Sequence, residues 1–391
     1  MTVDIYWRIA MEGDQKSLYE PGSSRGGFAP HLSGGIAPGG NRPGPDGFTH
    51  ADYMAQVVRA SEESGFVGGL LPSFPHTDDP WAAAATLAGQ SRGYRFMVAF
   101  QPGFLHPVQA ARMSATLQRA TGGRLVYNII SGGGGPQQLW WGDTVGHDDR
   151  YARTSEFLDV LKGVWQGRGF SYDGRFYRVE DGGLPDTLTG QPFPEIYFSG
   201  SSPAAIEAAG RHADYYLSWL EPFEALAEKF AAVRARSPKP PKFAVRIDIL
   251  ARETEEEAWD VVRRGWAGLP AEQREGGAGD SIGWRRSQDF TAGADGSFRA
   301  LEVAPNLWGG FHRLRPGPAF GLVGDYAQVA ARLDELVSLG VGAFILAGVP
   351  HLEEARRVGR HVLPLLKGTS PNGTPPNGTL PNGTPLKGTS S

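Results

Sequence analysis

A turn rich in glycine and serine, Gly200–Ser202, comes one residue after the apolar stretch Ile196–Phe198. Pro203 comes next and suits the first position of a helix, where its missing N–H would have no partner anyway. A strand–turn–helix of this kind points free backbone N–H groups and two hydroxyls at one spot, which is the chemistry of a phosphate site. A serine that only caps the helix is the competing interpretation, and the segment alone leaves both open.

A second glycine-rich turn ends the stretch Tyr127–Gly135. Side chains alternate across a strand, so Asn128 faces the side opposite to Ile129. A polar side chain in an apolar strand needs a partner, which is either a ring amide of a cofactor or another residue of the core. The turn has neither G-x-G-x-x-G nor a P-loop lysine, and this argues against a Rossmann dinucleotide site and an NTPase.

Two charged residues interrupt the apolar strand Phe243–Leu250. Arg246 and Asp248 are two positions apart, so both side chains lie on one face of the strand. Charges in such a strand are costly unless they are paired or functional. They therefore form either a structural ion pair or part of a pocket at the carboxyl end of the strand.

The composition excludes several kinds of chemistry. The 391 residues contain no cysteine, which excludes disulfides, thiolate metal sites and cysteine nucleophiles. The nine histidines show no H-E-x-x-H or H-x-H spacing, so we expect no metal site. With a net charge of −4 and no long apolar run, we expect neither nucleic acid nor a membrane as a partner. The N-terminus does not resemble a secretion signal, and we expect a cytoplasmic protein.

The elements that must position these residues alternate along the chain. Eight short apolar runs predict strands: Ile5–Ile9, Gly68–Leu71, Phe96–Phe100, Leu125–Ile130, Ile196–Phe198, Tyr215–Leu217, Phe243–Leu250 and Ala343–Leu346. Helical periodicity fills most of the gaps: Tyr53–Ser64, Ala82–Gln90, Val108–Ala120, Ser155–Trp165, Ala204–Arg211, Phe223–Ala235, Tyr326–Leu339 and Leu352–Leu366. The alternation predicts an α/β fold, a (β/α)₈ TIM barrel, with an open doubly wound sheet as the competitor.

Three segments interrupt the alternation within one domain predicted over residues 1–366. Residues 22–47 predict a long loop over the carboxyl-terminal mouth. Residues 166–194 predict a β-hairpin insertion with a turn at Asp173–Gly174. Residues 268–300, which include Trp284, Arg285 and Arg286, predict either a mobile lid or a plain surface loop. The repetitive tail, 367–391, has too few apolar residues for a core and predicts disorder.

Many segments, taken in order, resemble the bacterial-luciferase-like flavin monooxygenases, and most closely the alkanesulfonate monooxygenase group. The similarity runs from about Ile5 to Leu366. The matching segments are DIYWR (4–8), AARMSATL (110–117), NIISG (128–132), HDDRY (147–151), YFSGSS (197–202), YLSW (216–219), APNLW (304–308), LVGD (322–325) and PHLEE (350–354).

The resemblance implies a two-component enzyme. Reduced FMN comes from a separate NAD(P)H-dependent reductase, O₂ is the co-substrate, and sulfonate-specific members release sulfite and an aldehyde. It also implies a homo-oligomer, a dimer or a tetramer. The flavin would carry the redox chemistry, which fits a chain without cysteines or a metal motif. The implied cofactor contacts are Gly200, Ser201, Ser202 and Tyr151 for the phosphate, and Asn128, Ser131 and His147 for the ring or the ribityl chain.

The chain departs from the alkanesulfonate group at three positions. Asp248 stands where that group has a histidine, Val349 where it has a tyrosine, and Thr77 where it has a cysteine. Three residues that suit a sulfonate are retained, namely Arg246, Arg315 and Trp219. The predicted catalytic residues are Arg246, Asp248 and Arg315, and the predicted substrate-binding residues are Trp219, Arg246, Arg315, Thr77 and Val349.

The substitution at position 248 changes the chemistry of the predicted pocket. Asp248 cancels one positive charge, and Arg246 beside it is expected to lower the carboxyl pKa, which leaves a weak base at neutral pH. A pocket with two arginines and one aspartate suits an amine-bearing or zwitterionic substrate better than a plain alkanesulfonate. Two further functions compete with oxygenation: hydride transfer from a reduced deazaflavin, and flavin binding by a barrel without catalysis.

Overall fold

The computed structural model describes the following residues of the chain: 2–11, 48–74, 77–132, 136–237, 239–269, 274, 282–292, 297–314 and 320–367. The predicted loop at 22–47 lies outside these ranges. So does the predicted tail beyond residue 367.

Thirteen strands lie within these ranges: β1 (Asp4–Arg8), β2 (Gly68–Leu71), β3 (Arg95–Phe100), β4 (Leu125–Ile129), β5 (Phe170–Asp173), β6 (Arg178–Gly182), β7 (Ile196–Ser199), β8 (Tyr215–Trp219), β9 (Lys242–Arg252), β10 (Glu302–Ala304), β11 (Leu307–Trp308), β12 (Gly321–Asp325) and β13 (Val341–Ala347). Eight of them pair in parallel around a closed ring, in the order β1, β2, β3, β4, β7, β8, β9 and β13. Each of the eight predicted strands occupies one place in this ring. The predicted α/β TIM barrel is therefore confirmed, and the open sheet is wrong.

Alternation across the strands separates the barrel interior from the layer beneath the helices. In β1, Tyr6 packs inside the barrel, while Ile5 and Trp7 pack outward against the helical layer. Met97 and Tyr197 share the interior with Tyr6. The same alternation directs Asn128 inward and Ile129 outward, as the sequence predicts.

Twelve helices lie within the described ranges: α1 (His50–Glu63), α2 (Pro80–Leu87), α3 (Pro107–Thr121), α4 (Pro136–Trp140), α5 (His147–Trp165), α6 (Pro203–His212), α7 (Phe223–Arg236), α8 (Glu255–Ala267), α9 (Ile282–Phe290), α10 (Phe311–Leu314), α11 (Tyr326–Ser338) and α12 (His351–His361). None of them is long and apolar enough to cross a membrane.

Helix α8 is missing from the sequence-based prediction, although its start carries a strong signal. The Thr254 side chain accepts from the backbone N–H of Glu257, whose carboxylate accepts from the Thr254 N–H in return, which is a capping box. Helix α9 lies inside segment 268–300, for which only a loop or a lid is predicted. Glycine and polar residues around it hide its short amphipathic pattern.

The chain adds a β-hairpin and a sheet extension to the barrel. β5 and β6 form an antiparallel hairpin within segment 166–194, where the sequence predicts one. Its connection spans residues 174–177, and the Gly174 N–H donates to the Tyr177 carbonyl, so the turn is wider than the predicted Asp173–Gly174. β12 pairs in parallel with the carboxyl-terminal half of β9 and extends the sheet through β11 and β10.

Candidate active site

Asn128, Gly200–Ser202 and Trp219 lie at the carboxyl ends of β4, β7 and β8, and Arg246 and Asp248 lie on the next strand, β9. These four strands are consecutive around the barrel, and their carboxyl ends share one face. In (β/α)₈ barrels this is the face on which active sites are built. The opposite end carries an ionic cluster in which Arg95 contacts both Asp4 and Glu195. We therefore take the carboxyl-terminal mouth as the candidate active site.

The β7–α6 turn has the geometry of a compact anion cradle. Ser202 is the N-cap of α6, and its side chain accepts from the Ala205 N–H at 3.2 Å. Gly200 has φ +143°, and a Cβ added there would lie 2.5 Å from the Ala205 Cβ and 2.7 Å from the Tyr151 hydroxyl. The Tyr216 hydroxyl donates to the Gly200 carbonyl at 2.6 Å and fixes the turn from below. Only a glycine fits this position.

Helix α5 brings two more predicted cofactor residues to this turn. Burial raises the pKa of the Tyr151 hydroxyl, against the opposing effect of its hydrogen bond with Ser202. The His147 ring lies 5.2 Å from the Tyr151 ring, and its Nδ1 is 2.7 Å from the Asp148 carboxylate. The structure thus brings His147, Tyr151, Gly200 and Ser202 together, with Ser201 between the last two.

A buried histidine fastens α6 to α5. His212, at the end of α6, lies 2.7 Å from the Ser155 hydroxyl through Nε2 and 3.3 Å from the Lys162 ammonium through Nδ1. A lysine can only donate, so Nδ1 accepts and the ring is neutral with its proton on Nε2. Burial, assisted by the positive charge of Lys162, lowers the pKa of His212 to about 3.

This histidine makes the fold sensitive to acid. Below pH 6.5 the unfolded chain takes up a proton that the folded chain refuses until about pH 3. The contribution of His212 to the free energy of unfolding is therefore fully present above pH 6.5. It falls on acidification by up to about 1.4 kcal/mol per pH unit. Between pH 7 and pH 5, we expect the free energy of unfolding in urea to fall less for His212→Gln than for the wild-type chain. Equal losses would contradict this assignment.

The end of β4 carries a buried amide side chain. Asn128 is buried, and its Oδ1 has no hydrogen-bond partner among the described residues. Gln101, which follows the adjacent strand β3, also has a buried Oε1 without a partner in those ranges. Buried amide oxygens are nearly always paired, so two at neighbouring strand ends indicate that a ligand donates to them. Sequence reasoning misses Gln101, because it follows the last residue of its strand.

Ser131 has a different role from Asn128. Its hydroxyl lies 3.0 Å from the Thr154 hydroxyl, and both side chains are buried. Thr154 is one helical turn beyond Tyr151 on α5. Ser131 therefore ties the β4 turn to the helix that also carries the cradle tyrosine.

Strand β9 carries Arg246 and Asp248, two of the predicted catalytic residues. Arg246 donates through Nη2 to the Asp248 carboxylate at 3.2 Å, with Arg246 4% and Asp248 1% exposed. Its guanidinium lies 5.6 Å from the ring of Trp219, its register neighbour on β8. Arg246, Asp248 and Trp219 thus form one cluster, next to the cofactor residues. The lowering of the Asp248 pKa stays a prediction.

Two of the remaining predicted substrate residues make other contacts. The Thr77 hydroxyl bonds within its own loop, to the Phe74 backbone at 3.1 Å. Val349 is buried in an apolar cluster that also contains Trp308 and Phe311. Arg315 lies outside the described residues and directly follows α10.

A buried cation at the mouth escapes the sequence-based prediction. Arg8, on the inward face of β1, lies with Nη1 3.3 Å from Nε2 of His351, and both residues are buried. His351 is the first residue of α12, whose N-cap is Pro350, so its ring packs on Arg8 and does not cap the helix. Among the residues in the described ranges, no cluster of three or more His, Cys, Asp and Glu could hold a metal ion.

Solved structures with the same fold include two monooxygenases and a dehydrogenase. The EDTA monooxygenase EmoA from Chelativorans sp. BNC1 superposes with a TM-score of 0.67 and 19% identity, covering 93% of each chain. The oxygenating constituent of 3,6-diketocamphane monooxygenase from Pseudomonas putida, in complex with FMN, gives 0.63 and 17%, covering 94% of this chain and 99% of that structure. An F420-dependent secondary alcohol dehydrogenase gives 0.62 and 14%, covering 94% and 100%.

At these identities the structural similarities support the fold alone. Membership follows from the sequence, because residues 32–343 match the family model described as luciferase-like monooxygenase. The match covers most of the chain and confirms the predicted class of enzyme, a flavin-dependent monooxygenase. The chain belongs to the luciferase-like monooxygenase family.

Proposed function

We propose that the protein is the oxygenase of a two-component system, which uses reduced FMN and O₂ to oxygenate a small organic substrate. The observation that carries this proposal is the cradle at Gly200–Ser202. It lies at the N-terminus of a ten-residue helix, and Gly200 has no room for a Cβ beside the Ala205 Cβ and the Tyr151 hydroxyl. A helix N-terminus with such a turn favours a phosphate monoester.

The residues around the cradle fit the phosphate of FMN. The turn contributes backbone N–H groups and the Ser201 hydroxyl, and the Tyr151 hydroxyl lies against the open face of Gly200. His147, at the N-terminus of α5, adds a second helix end beside it. Together these groups would anchor the phosphate and place the ring system toward β4 and β3.

On the ring side, the open amide oxygens fit a flavin. Asn128 Oδ1 and Gln101 Oε1 are acceptors, and a flavin ring presents N–H groups to such acceptors. When bound, reduced FMN would supply the electrons that activate O₂. The protein would bind the ring, orient it by these amides and keep water from the reacting atoms.

The substrate would lie beside Trp219 and Arg246. Because Arg246 contacts Asp248 at 3.2 Å, this pair is close to neutral and offers less positive charge to a plain sulfonate. We therefore favour an amine-bearing or zwitterionic substrate. The retained arginine supports alkanesulfonate cleavage as the second candidate, in which a sulfonate, O₂ and FMNH₂ give an aldehyde, hydrogen sulfite, FMN and water.

Substrate preference tests the role of Asp248. With enzymatically reduced FMN and O₂, we expect kcat/KM for an amine-bearing sulfonate to exceed that for ethanesulfonate by about tenfold, or about 1.4 kcal/mol. Asp248→His should reverse the order, because it removes the negative charge. Sulfite release and oxygen consumption measure both. A wild-type preference for plain ethanesulfonate would contradict this part of the proposal.

The remaining parts of the proposal follow from the same reaction. As the family resemblance implies, we propose that reduced FMN comes from a separate NAD(P)H-dependent reductase. We further propose one domain over residues 1–366, a cytoplasmic location and a dimer or tetramer. If the chain binds a reduced deazaflavin and not reduced FMN, hydride transfer replaces oxygenation.

A further inference from the structure

A buried carboxylate lies just beyond the candidate substrate residues. Glu221 follows β8 by two residues, and its side chain is only 3% exposed. An ionised carboxylate at such a depth needs charged or hydrogen-bonding partners. Its partners come from two separate parts of the chain.

Two cations contact Glu221. Lys229, on α7, lies with Nζ 2.6 Å from Oε1. Arg286, on α9, donates through Nε to Oε1 at 3.0 Å and through Nη2 to Oε2 at 2.7 Å, which is a bidentate pair. Burial alone would raise the pKa of Glu221, but the hydrogen bonds and charges of the two cations lower it. The carboxylate therefore stays ionised.

The two cations are not equivalent. Lys229 is 7% exposed and belongs to the helix that directly follows the Glu221 loop, so it already balances the buried charge. Arg286 is 35% exposed and comes from segment 268–300, more than sixty positions away. Since the charge of Glu221 is balanced without it, the bidentate contact of Arg286 serves to dock α9.

The docking point is continuous with the substrate side of the mouth. Lys229 also donates to the Ser218 hydroxyl at 3.1 Å, and that hydroxyl donates to the Trp219 carbonyl at 2.9 Å. The Leu220 N–H, one residue further on, donates to the Arg246 carbonyl at 3.0 Å. Helix α9 is thus fastened to the chain segment that carries Trp219 and is bonded to β9.

We propose that Arg286 is a positioning residue, whose ion pair with Glu221 holds α9 against the end of β8 and shields the substrate side of the mouth from water. The catalytic consequence rests on the proposed function, whereas the docking of α9 does not depend on that function. Arg286→Gln breaks the pair and leaves Glu221 with Lys229, so the fold is retained. Arg286→Lys keeps the charge without the bidentate geometry.

Hydrogen exchange tests the docking directly. In the full-length chain with Arg286→Gln, we expect backbone exchange in 282–290 to rise about fourfold, which corresponds to about 0.8 kcal/mol of local opening. Arg286→Lys should fall between the wild-type chain and Arg286→Gln. The matched control is Arg263→Gln, which breaks the exposed pair with Asp260 on α8 and should leave 282–290 unchanged. Unchanged exchange in Arg286→Gln would overturn the proposal.

A second measurement tests the positioning role without the natural substrate. The protein is loaded with reduced FMN and exposed to air, and hydrogen peroxide is followed as FMNH₂ and O₂ become FMN and H₂O₂. We expect Arg286→Gln to release peroxide several-fold faster and Arg286→Lys to restore part of the protection. Faster exchange with an unchanged peroxide rate would overturn the positioning role. If the wild-type chain binds no reduced FMN, the proposed function fails, and the exchange data still decide the docking.

Discussion

Replacing Gly200 with alanine is expected to weaken the binding of reduced FMN by about 100-fold, or about 2.7 kcal/mol. The new Cβ would lie 2.5 Å from the Ala205 Cβ and 2.7 Å from the Tyr151 hydroxyl, closer than such atoms ever come. It would also occupy a backbone conformation with φ +143°, where an L-residue costs about 1–3 kcal/mol. The turn must therefore shift, and the cradle changes shape.

Gly122 provides the matched control. It has φ +70° at the end of α3, and a Cβ there would meet nothing within 4 Å. Gly122→Ala thus introduces backbone strain without filling the cradle, and we expect its affinity for reduced FMN to equal that of the wild-type chain. Thermal unfolding of both variants separates strain from loss of the site. Equal affinity of Gly200→Ala and the wild-type chain would show that the phosphate binds elsewhere.

Replacing Glu221 with glutamine is expected to lower the free energy of unfolding by about 3 kcal/mol, because it leaves a buried ammonium without its partner. Lys229 is 7% exposed, and burial already lowers its pKa. Arg286→Gln should cost less than about 1 kcal/mol, since Arg286 is partly exposed and the buried pair survives. Urea unfolding of the two variants measures the difference.

A double variant sharpens this prediction. In Glu221→Gln with Lys229→Met no buried charge remains at the Glu221–Lys229 site, and such replacements are often neutral or stabilising. We expect the double variant to recover most of the stability that the single variant loses. A double variant less stable than Glu221→Gln would mean that Lys229 stabilises the fold through contacts other than this pair.

The barrel can be predicted from the sequence, because each of its eight strands is a short apolar run between helical stretches. Helix α8 is not predicted, although Thr254 and Glu257 form a capping box. Helix α9 is not predicted because nine residues within a glycine-rich segment carry too little pattern. Its ion pair between Glu221 and Arg286 depends on two side chains that lie sixty-five positions apart in the sequence.

The candidate site can be predicted where its residues are neighbours in sequence. Gly200–Ser202 lie in one turn, and Arg246 and Asp248 lie two apart on one strand, so spacing alone brings them together. Arg8 and His351 meet only when the first and last strands of the barrel pair, and no local pattern signals this. Val349 shows the opposite case, since its aligned position suggests a pocket while its side chain packs in an apolar cluster.

Anaerobic titration with reduced FMN tests the central claim most directly. We expect saturable binding at one site per chain with a dissociation constant in the micromolar range, about −8 kcal/mol. Inorganic phosphate should compete with it. Oxygen admitted to the complex should then be consumed with one equivalent of flavin oxidised. No binding of reduced FMN by the wild-type chain, with tight binding of a reduced deazaflavin in its place, would contradict the account.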